Sequence, residues 1–119
     1  MSYDLNNIFA RILRQEIPCN KVYEDEKVLA FHDISPKAPV HILVIPKGSY
    51  VNFHDFHGSA SADEITHFYA KVSEIAASQG LSDSGYRIIS NCGVNGGQEV
   101  PHYHVHLLGG GKLGAMIGS

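Results

Sequence analysis

Two rhythms of hydrophobic positions run through the chain. From Asn7, a residue suited to cap a helix, Ile8, Phe9, Ile12 and Leu13 fall on one helical face. Pro18 closes that segment, which predicts a short helix. The helical period returns between Ser61 and Gln79, where Ile65, Phe68, Tyr69, Val72, Ile75 and Ala76 make one stripe. Ser61 and Glu64 stand at capping-box spacing, and Gly80 is a natural stop. The stretch KVYEDEKVLAFHDISPKAPVHILVIPK reads instead as strands around Val22–Tyr23, Val28–His32 and Pro39–Ile45, with turns in EDEK and ISPKAP. Two more strands follow near Tyr86–Asn91 and His102–Leu108, separated by the glycine-rich CGVNGGQEVP. Short joins between successive strands favour antiparallel hairpins. The expected architecture is an α+β domain spanning residues 1–119: a five-stranded antiparallel meander sheet packed by one long and one short helix. Lys47–Gly58 predicts a loop with no element of its own.

Composition narrows the function classes. A chain of 119 residues with 44% hydrophobic content can bury one real core, which excludes a disordered protein. Net charge is −3 and no basic run occurs, so a nucleic acid polymer, which needs a Lys/Arg stripe, is not the expected partner. A small anion needs far fewer donors. Cys19 and Cys92 form no C-x-x-C pair and read as reduced thiols. The start, MSYDLNNIFARILRQEIP, lacks a basic lead into an apolar run, and no stretch is long enough to cross a membrane. A cytoplasmic protein with no membrane partner is expected.

The strongest chemical signal is EVPHYHVHLLGG, Glu99 to Gly110, with histidine at 102, 104 and 106. On a strand His102, His104 and His106 share one face, while Tyr103, Val105 and Leu107 form the core side. Packing alone does not explain them, because the apolar face exists without them. A metal site is also a poor fit. At about 3.3 Å per residue the outer two histidines lie roughly 13 Å apart, and zinc needs nitrogens at about 2.0–2.1 Å. All three cannot converge on one ion, although an adjacent pair with a third ligand from elsewhere can. A reaction centre fits best: imidazole with a pKa of about 6.5 is mostly neutral at pH 7 and serves as nucleophile or base. A row of three supplies one attacking nitrogen with a donor on each side, which suits a phosphoryl group. The preceding loop, NCGVNGGQ, offers backbone N–H groups at Gly93, Gly96 and Gly97 that can approach phosphate oxygens.

Other motifs carry less. The loop matches neither G-x-x-x-x-G-K-[ST] nor G-x-G-x-x-G, and no G-x-S-x-G occurs. Cys92 reads as a small semi-buried thiol, His54 and His57 as members of a solvated polar loop, and Glu24–Glu26 as a solvated turn.

The run His102-Tyr103-His104-Val105-His106-Leu107-Leu108 resembles the His-φ-His-φ-His-φ-φ pattern of the histidine triad (HIT) superfamily, where φ is hydrophobic. With IFARILRQEIP, LAFHDISPKAPVHILVIPK and GYRIISNCGVNGGQ in order, nearly the whole chain is similar to the Hint branch, the histidine triad nucleotide-binding proteins. The resemblance implies a homodimer without metal or other cofactor. It implies a purine nucleotide phosphoramidate hydrolase or nucleotidyl transferase, with an adenosine-type nucleotide or conjugate as partner. His104 then matches the nucleophile, His106 the phosphate contact, His102 the residue that holds the middle imidazole's tautomer, and His41 a fourth histidine of the proton network. Asp33 matches the ribose-binding carboxylate with Ile34 beside it. Asn91, Gly97 and Gln98 match phosphate-side positions, and Ile8, Phe9, Ile12 and Phe31 the base pocket. Glu99 departs from the pattern: it stands where Hint proteins commonly carry a serine facing the leaving amine. The tail GKLGAMIGS also lacks the tryptophan-containing end of animal Hint proteins. The alternative functions are a nucleotide-binding regulatory protein with incidental catalysis, and a zinc-binding adaptor.

Overall fold

Alternation along the strands decides the architecture. In the computed structural model, which describes residues 2–117, the elements run α1 (Ile8–Leu13), β1 (Lys21–Glu24), β2 (Val28–His32), β3 (Val40–Pro46), α2 (Phe53–Ser59), α3 (Ala62–Ser78), β4 (Tyr86–Ile89) and β5 (Val105–Gly109). Val28 and Ala30 of β2, Ile42 and Val44 of β3, and Val105 and Leu107 of β5 point to one side of the sheet. There they meet Phe56 of α2 and Phe68, Val72 and Ile75 of α3. The residues between them, Leu29, Phe31, Leu43 and Ile45, point the other way and pack with Phe9 of α1. Both faces are therefore apolar near their centres, as expected for strands covered on two sides.

All neighbouring strands are antiparallel, in the order β1-β2-β3-β5-β4. This corrects the expected meander. The hairpin argument holds for β1 to β3, but α2 and α3 lie between β3 and β4. A connection that long frees β4 to run along the edge, and β5 returns between them. β4 and β5 still pair, Tyr86 opposite Gly109 and Ile89 opposite His106.

Helix boundaries follow local chemistry. Asn7 caps α1, its side chain accepting from the Ala10 N–H at 2.9 Å. α1 stops at Leu13, ahead of Pro18, because Gln15 adopts φ 64°. The Gln15 N–H donates to the Ile12 carbonyl at 2.9 Å and the Glu16 N–H to that of Arg11 at 2.9 Å, the paired bonds of a Schellman stop. Ser61 caps α3 through the Glu64 N–H at 3.1 Å, and Gly80 follows with φ 74°. α2 replaces the loop expected within Lys47–Gly58. Asn52 accepts from the Asp55 N–H at 2.9 Å, and the Asp55 carboxylate accepts from the Val51 N–H at 2.8 Å. Those two bonds hold a seven-residue helix that buries Phe56 and leaves His54 and His57 exposed.

β5 begins at Val105, three residues later than expected. His102 to His104 lie outside the ladder because their polar groups bond elsewhere: the Tyr103 N–H donates to the Tyr50 carbonyl at 2.7 Å. The alternation of sides persists nonetheless. Tyr103 stacks on Phe56 with ring centroids 4.9 Å apart in the α2/α3 core, whereas His104 meets Phe9 at 5.0 Å on the α1 side.

Candidate active site

α1 covers only part of its face of the sheet, and the uncovered part is a cleft of about 660 Å³. One wall is apolar: Ile8, Phe9, Ile12 and Phe31, joined by Ile17 and Cys19. The other gathers Asp33, His41, His104, His106, Asn91 and Glu99. Ile34 sits on the rim, 94% exposed.

The sheet register brings the histidines together. His106 lies opposite Leu43, and His41 lies opposite Leu108, so the two imidazoles meet diagonally on one face. The Lys37 N–H donates to His41 Nδ1 at 3.0 Å, which places the His41 proton on Nε2. That Nε2–H donates to His106 Nδ1 at 2.9 Å, with Asp33 Oδ2 3.4 Å away as a second acceptor. His106 is left with its own proton on Nε2, a donor available to a ligand.

His104 is set in the opposite sense. Its Nδ1–H donates to the His102 carbonyl at 2.7 Å, so Nε2 keeps a lone pair. Burial holds the imidazoles in their neutral forms. It lowers the pKa of His104 against the pull of the His102 carbonyl, Asp33 and Glu99. It lowers that of His41 against Asp33, with Lys37 adding to the decrease. His106 is pushed down to about 4 by burial first and by its histidine neighbours second. A neutral imidazole with a free Nε2 lone pair stands beside a neutral Nε2–H donor.

Two expected site residues are not brought to the cleft. His102 is fully buried, its Nε2–H donating to the Pro46 carbonyl at 2.8 Å and its Nδ1 accepting from the Tyr3 hydroxyl at 2.5 Å. It touches His104 through its backbone carbonyl, which accepts the His104 Nδ1–H. The Gln98 side chain staples the glycine loop. Its amide donates to the carbonyls of Val51 at 2.7 Å and Val100 at 3.0 Å, and its oxygen accepts from the Gly93 N–H at 3.1 Å. The Gly97 N–H likewise donates to Val94, so two of the three loop donors expected for phosphate are used within the loop. Gly96 is required for packing: a Cβ there would sit 2.5 Å from the Cys92 carbonyl oxygen. Cys92 is exposed, not semi-buried.

Several cleft residues carry no signal in the sequence pattern. Lys37 lines it two residues after Ser35, and Arg87 reaches it from β4. The Arg87 guanidinium donates to the Gly114 carbonyl at 3.0 Å, drawing Leu113 to Met116 along the cleft wall. Arg87 is visible only as a polar residue on a strand, and its tether depends on tail and strand meeting in space.

Asp33, His41 and His106 place ligand-capable atoms within 4.8 Å of one another, a trio different from the triad itself. The composition would suit a divalent ion, but the hydrogen bonds do not. With the Lys37 N–H on His41 Nδ1, the nitrogen facing the other two groups carries a proton. A metal would have to displace that proton and break the Lys37 bond.

Sheet, triad segment and polar trio together define a family, and the chain belongs to it: the HIT domain family matches residues 14–113. A 13.2 kDa HIT-like protein of Azospirillum brasilense is 57% identical over 116 residues, covering 98% of this chain and 95% of that one. The purine nucleoside phosphoramidase of Escherichia coli K12 is 46% identical over 113 residues, covering 92% of each. Among solved structures, a histidine triad protein from Clostridium difficile matches with TM-score 0.87 at 43% identity, over 98% of this chain and 100% of that one. A HIT family hydrolase from Legionella pneumophila matches with TM-score 0.88 at 39% identity, over 95% and 100%. Among the described residues no helix is long and apolar enough to cross a membrane.

Proposed function

We propose that this chain is a single-domain, cytoplasmic, Hint-type nucleotidyl transferase and hydrolase acting on purine nucleoside phosphoramidates of the adenosine type. One observation carries the reading: the 2.7 Å bond from His104 Nδ1 to the His102 carbonyl leaves the Nε2 lone pair at a cleft with both an apolar and a polar wall. His104 Nε2 attacks the α-phosphorus, the P–N bond breaks and the amine leaves with a proton taken from solvent, which the later attack of water returns. Water then attacks the nucleotidyl-histidine, releases the nucleoside monophosphate and restores the imidazole. The His106 Nε2–H donates to a non-bridging phosphate oxygen, and His41 behind it fixes that tautomer. The purine lies against Ile8, Phe9, Ile12 and Phe31. Asp33 holds the ribose hydroxyls: its Oδ1 already accepts the Ser35 N–H at 2.8 Å, and the second oxygen faces the histidines. The match to a purine nucleoside phosphoramidase over 92% of both chains supports the same assignment.

The edge strand β4 exposes Tyr86 and Ile88, which supports a symmetric homodimer formed there. Sedimentation equilibrium at micromolar concentration is expected to give twice the 13.0 kDa chain mass. A monomer alone would refute the dimer.

The enzymatic reading is tested by a steady-state assay with an adenosine phosphoramidate. Wild type is expected to turn over, and His104→Ala to lose at least about 10³-fold in kcat. Nucleotide binding without turnover in the wild type would favour a regulatory binding protein instead.

A further inference from the structure

We propose that Tyr3 is a positioning residue of the reaction centre: its hydroxyl holds the His102 ring, whose backbone carbonyl sets the His104 tautomer. The inference rests on the reading of His104 as nucleophile, and it draws the N-terminal segment into the site.

The chain of bonds has three links. The Tyr3 O–H donates to His102 Nδ1 at 2.5 Å, the His102 Nε2–H donates to the Pro46 carbonyl at 2.8 Å, and the His102 carbonyl accepts from His104 Nδ1–H at 2.7 Å. The first two fill both nitrogens of a ring with no exposure. Pro46 offers only an acceptor, so the proton must be on Nε2 and Nδ1 must find a donor. Tyr3 is that donor, and its ring also meets the imidazole edge-on with centroids 5.5 Å apart. Without the hydroxyl, Nδ1 is an unsatisfied acceptor in a space closed to water, which the ring can relieve only by moving. With Nε2 anchored on the Pro46 carbonyl, that movement bears on the His102 backbone, whose carbonyl holds His104.

Tyr3 is not on a loose end. The Asp4 carbonyl accepts from the Asn7 side chain at 2.7 Å, and the Leu5 carbonyl accepts from Arg14 at 2.8 Å, so α1 and its cap hold the segment in place. The same Asn7 caps α1 and is itself buried. α1 thus packs Phe9 against His102 and His104, and the segment it holds brings Tyr3 against His102.

Two substitutions separate the hydrogen bond from the packing. Tyr3→Phe keeps the ring and removes only the hydroxyl, whereas Tyr3→Ala removes both. On the protein alone, ¹⁵N NMR of the imidazoles near pH 7.5 is expected to show His104 protonated on Nδ1 in the wild type, with slow exchange of that proton. In Tyr3→Phe the proton should exchange at least about tenfold faster and the His104 tautomers should mix. In the adenosine phosphoramidate assay kcat should fall about tenfold with KM within about twofold. Tyr3→Ala should match Tyr3→Phe. A Tyr3→Phe protein with wild-type His104 exchange and wild-type kcat, set against a defective Tyr3→Ala, would show that packing alone matters and overturn the proposal. If the wild type does not hydrolyse the substrate, the functional reading fails, and the NMR comparison still decides the role of Tyr3.

Discussion

The two faces of the sheet are made from the same strands yet serve opposite ends. Under α2 and α3 every position is filled by carbon: Val28, Ile42, Val44, Val105 and Leu107 meet Phe56, Phe68 and Val72, none more than 1% exposed. The polar atoms there belong to tyrosines, and Tyr103 and Tyr69 pair their hydroxyls with each other. On the other face α1 is only six residues long, and beside an apolar patch of Phe9, Leu29, Phe31, Leu43 and Ile45 the cleft is lined by imidazoles and carboxylates. The buried polar atoms on this side form directed chains, Lys37 to His41 to His106 and Tyr3 to His102 to Pro46. Adjacent residues of one segment divide between these tasks: Tyr103, Val105 and Leu107 hold the fold, while His104 and His106 face the cleft. A closed face supplies rigidity that lets an incompletely covered one keep unsatisfied chemistry in fixed geometry.

Substitutions on the two faces should therefore fail differently. Phe68→Ala on the closed face should lower unfolding free energy by about 3–5 kcal/mol, with the surviving folded fraction retaining its turnover rate. Urea denaturation alongside active-site titration checks this. Equal losses of stability and of turnover per folded site would mean the faces are not separable.

On the open face, Asp33→Ala should weaken binding of a purine nucleoside monophosphate by about 1.5–3 kcal/mol, the range for hydrogen bonds to a charged group. Calorimetry with a 2′,3′-dideoxy ligand should show almost no loss. The same loss for both ligands would give Asp33 a role other than ribose recognition.

Acid sensitivity should also belong to the open face. His102 is pushed down from 6.5 to about 4 by burial, so the unfolded chain binds a proton more readily than the folded one between those values. Its contribution is fully present above about pH 6.5 and is lost as pH falls toward 4, on the order of 2 kcal/mol by about pH 5. His106 acts in the same direction. Thermal melts from pH 7 to 5 should show Tm falling, and His106→Asn should flatten the slope. A slope unchanged by that substitution would assign the acid sensitivity elsewhere.

The smallest effect concerns Glu99, which lines the cleft where the resemblance places a leaving-group serine. A carboxylate only accepts hydrogen bonds, so it should orient a cationic amine and repel an anionic one. Glu99→Ser should raise kcat/KM for neutral-amine phosphoramidates by more than about twofold, more for anionic leaving groups, and least for lysine-type ones. A change below about twofold for every leaving group would place Glu99 outside the reaction.

Much of this division is legible in the amino-acid sequence. The apolar runs VLAFH and VHILVIP mark β2 and β3 as strands without saying which side chain meets which layer, and Ser61 to Gly80 announces α3 with cap, stripe and stop. Less local features leave no such mark. A φ of 64° at Gln15 ends α1 where a glycine would have signalled it. α2 is one short helix set by Asn52 and Asp55, and the order of β4 and β5 depends on a crossover that no short window records. In the site, the triad spacing shows which side each histidine takes, but three alternating histidines look equivalent. Only Pro46 and Tyr3, 56 and 99 residues away, reveal that His102 turns inward.

On the proposed mechanism the open face presents one nucleophile, His104, made so by the carbonyl behind it. Rapid quenching of a slowly hydrolysed adenosine phosphoramidate, followed by digestion and mass spectrometry, reads this directly. A nucleotidyl adduct on His104 is the expected result. An adduct on His102, His106 or Cys92, or none under single-turnover conditions, would contradict it.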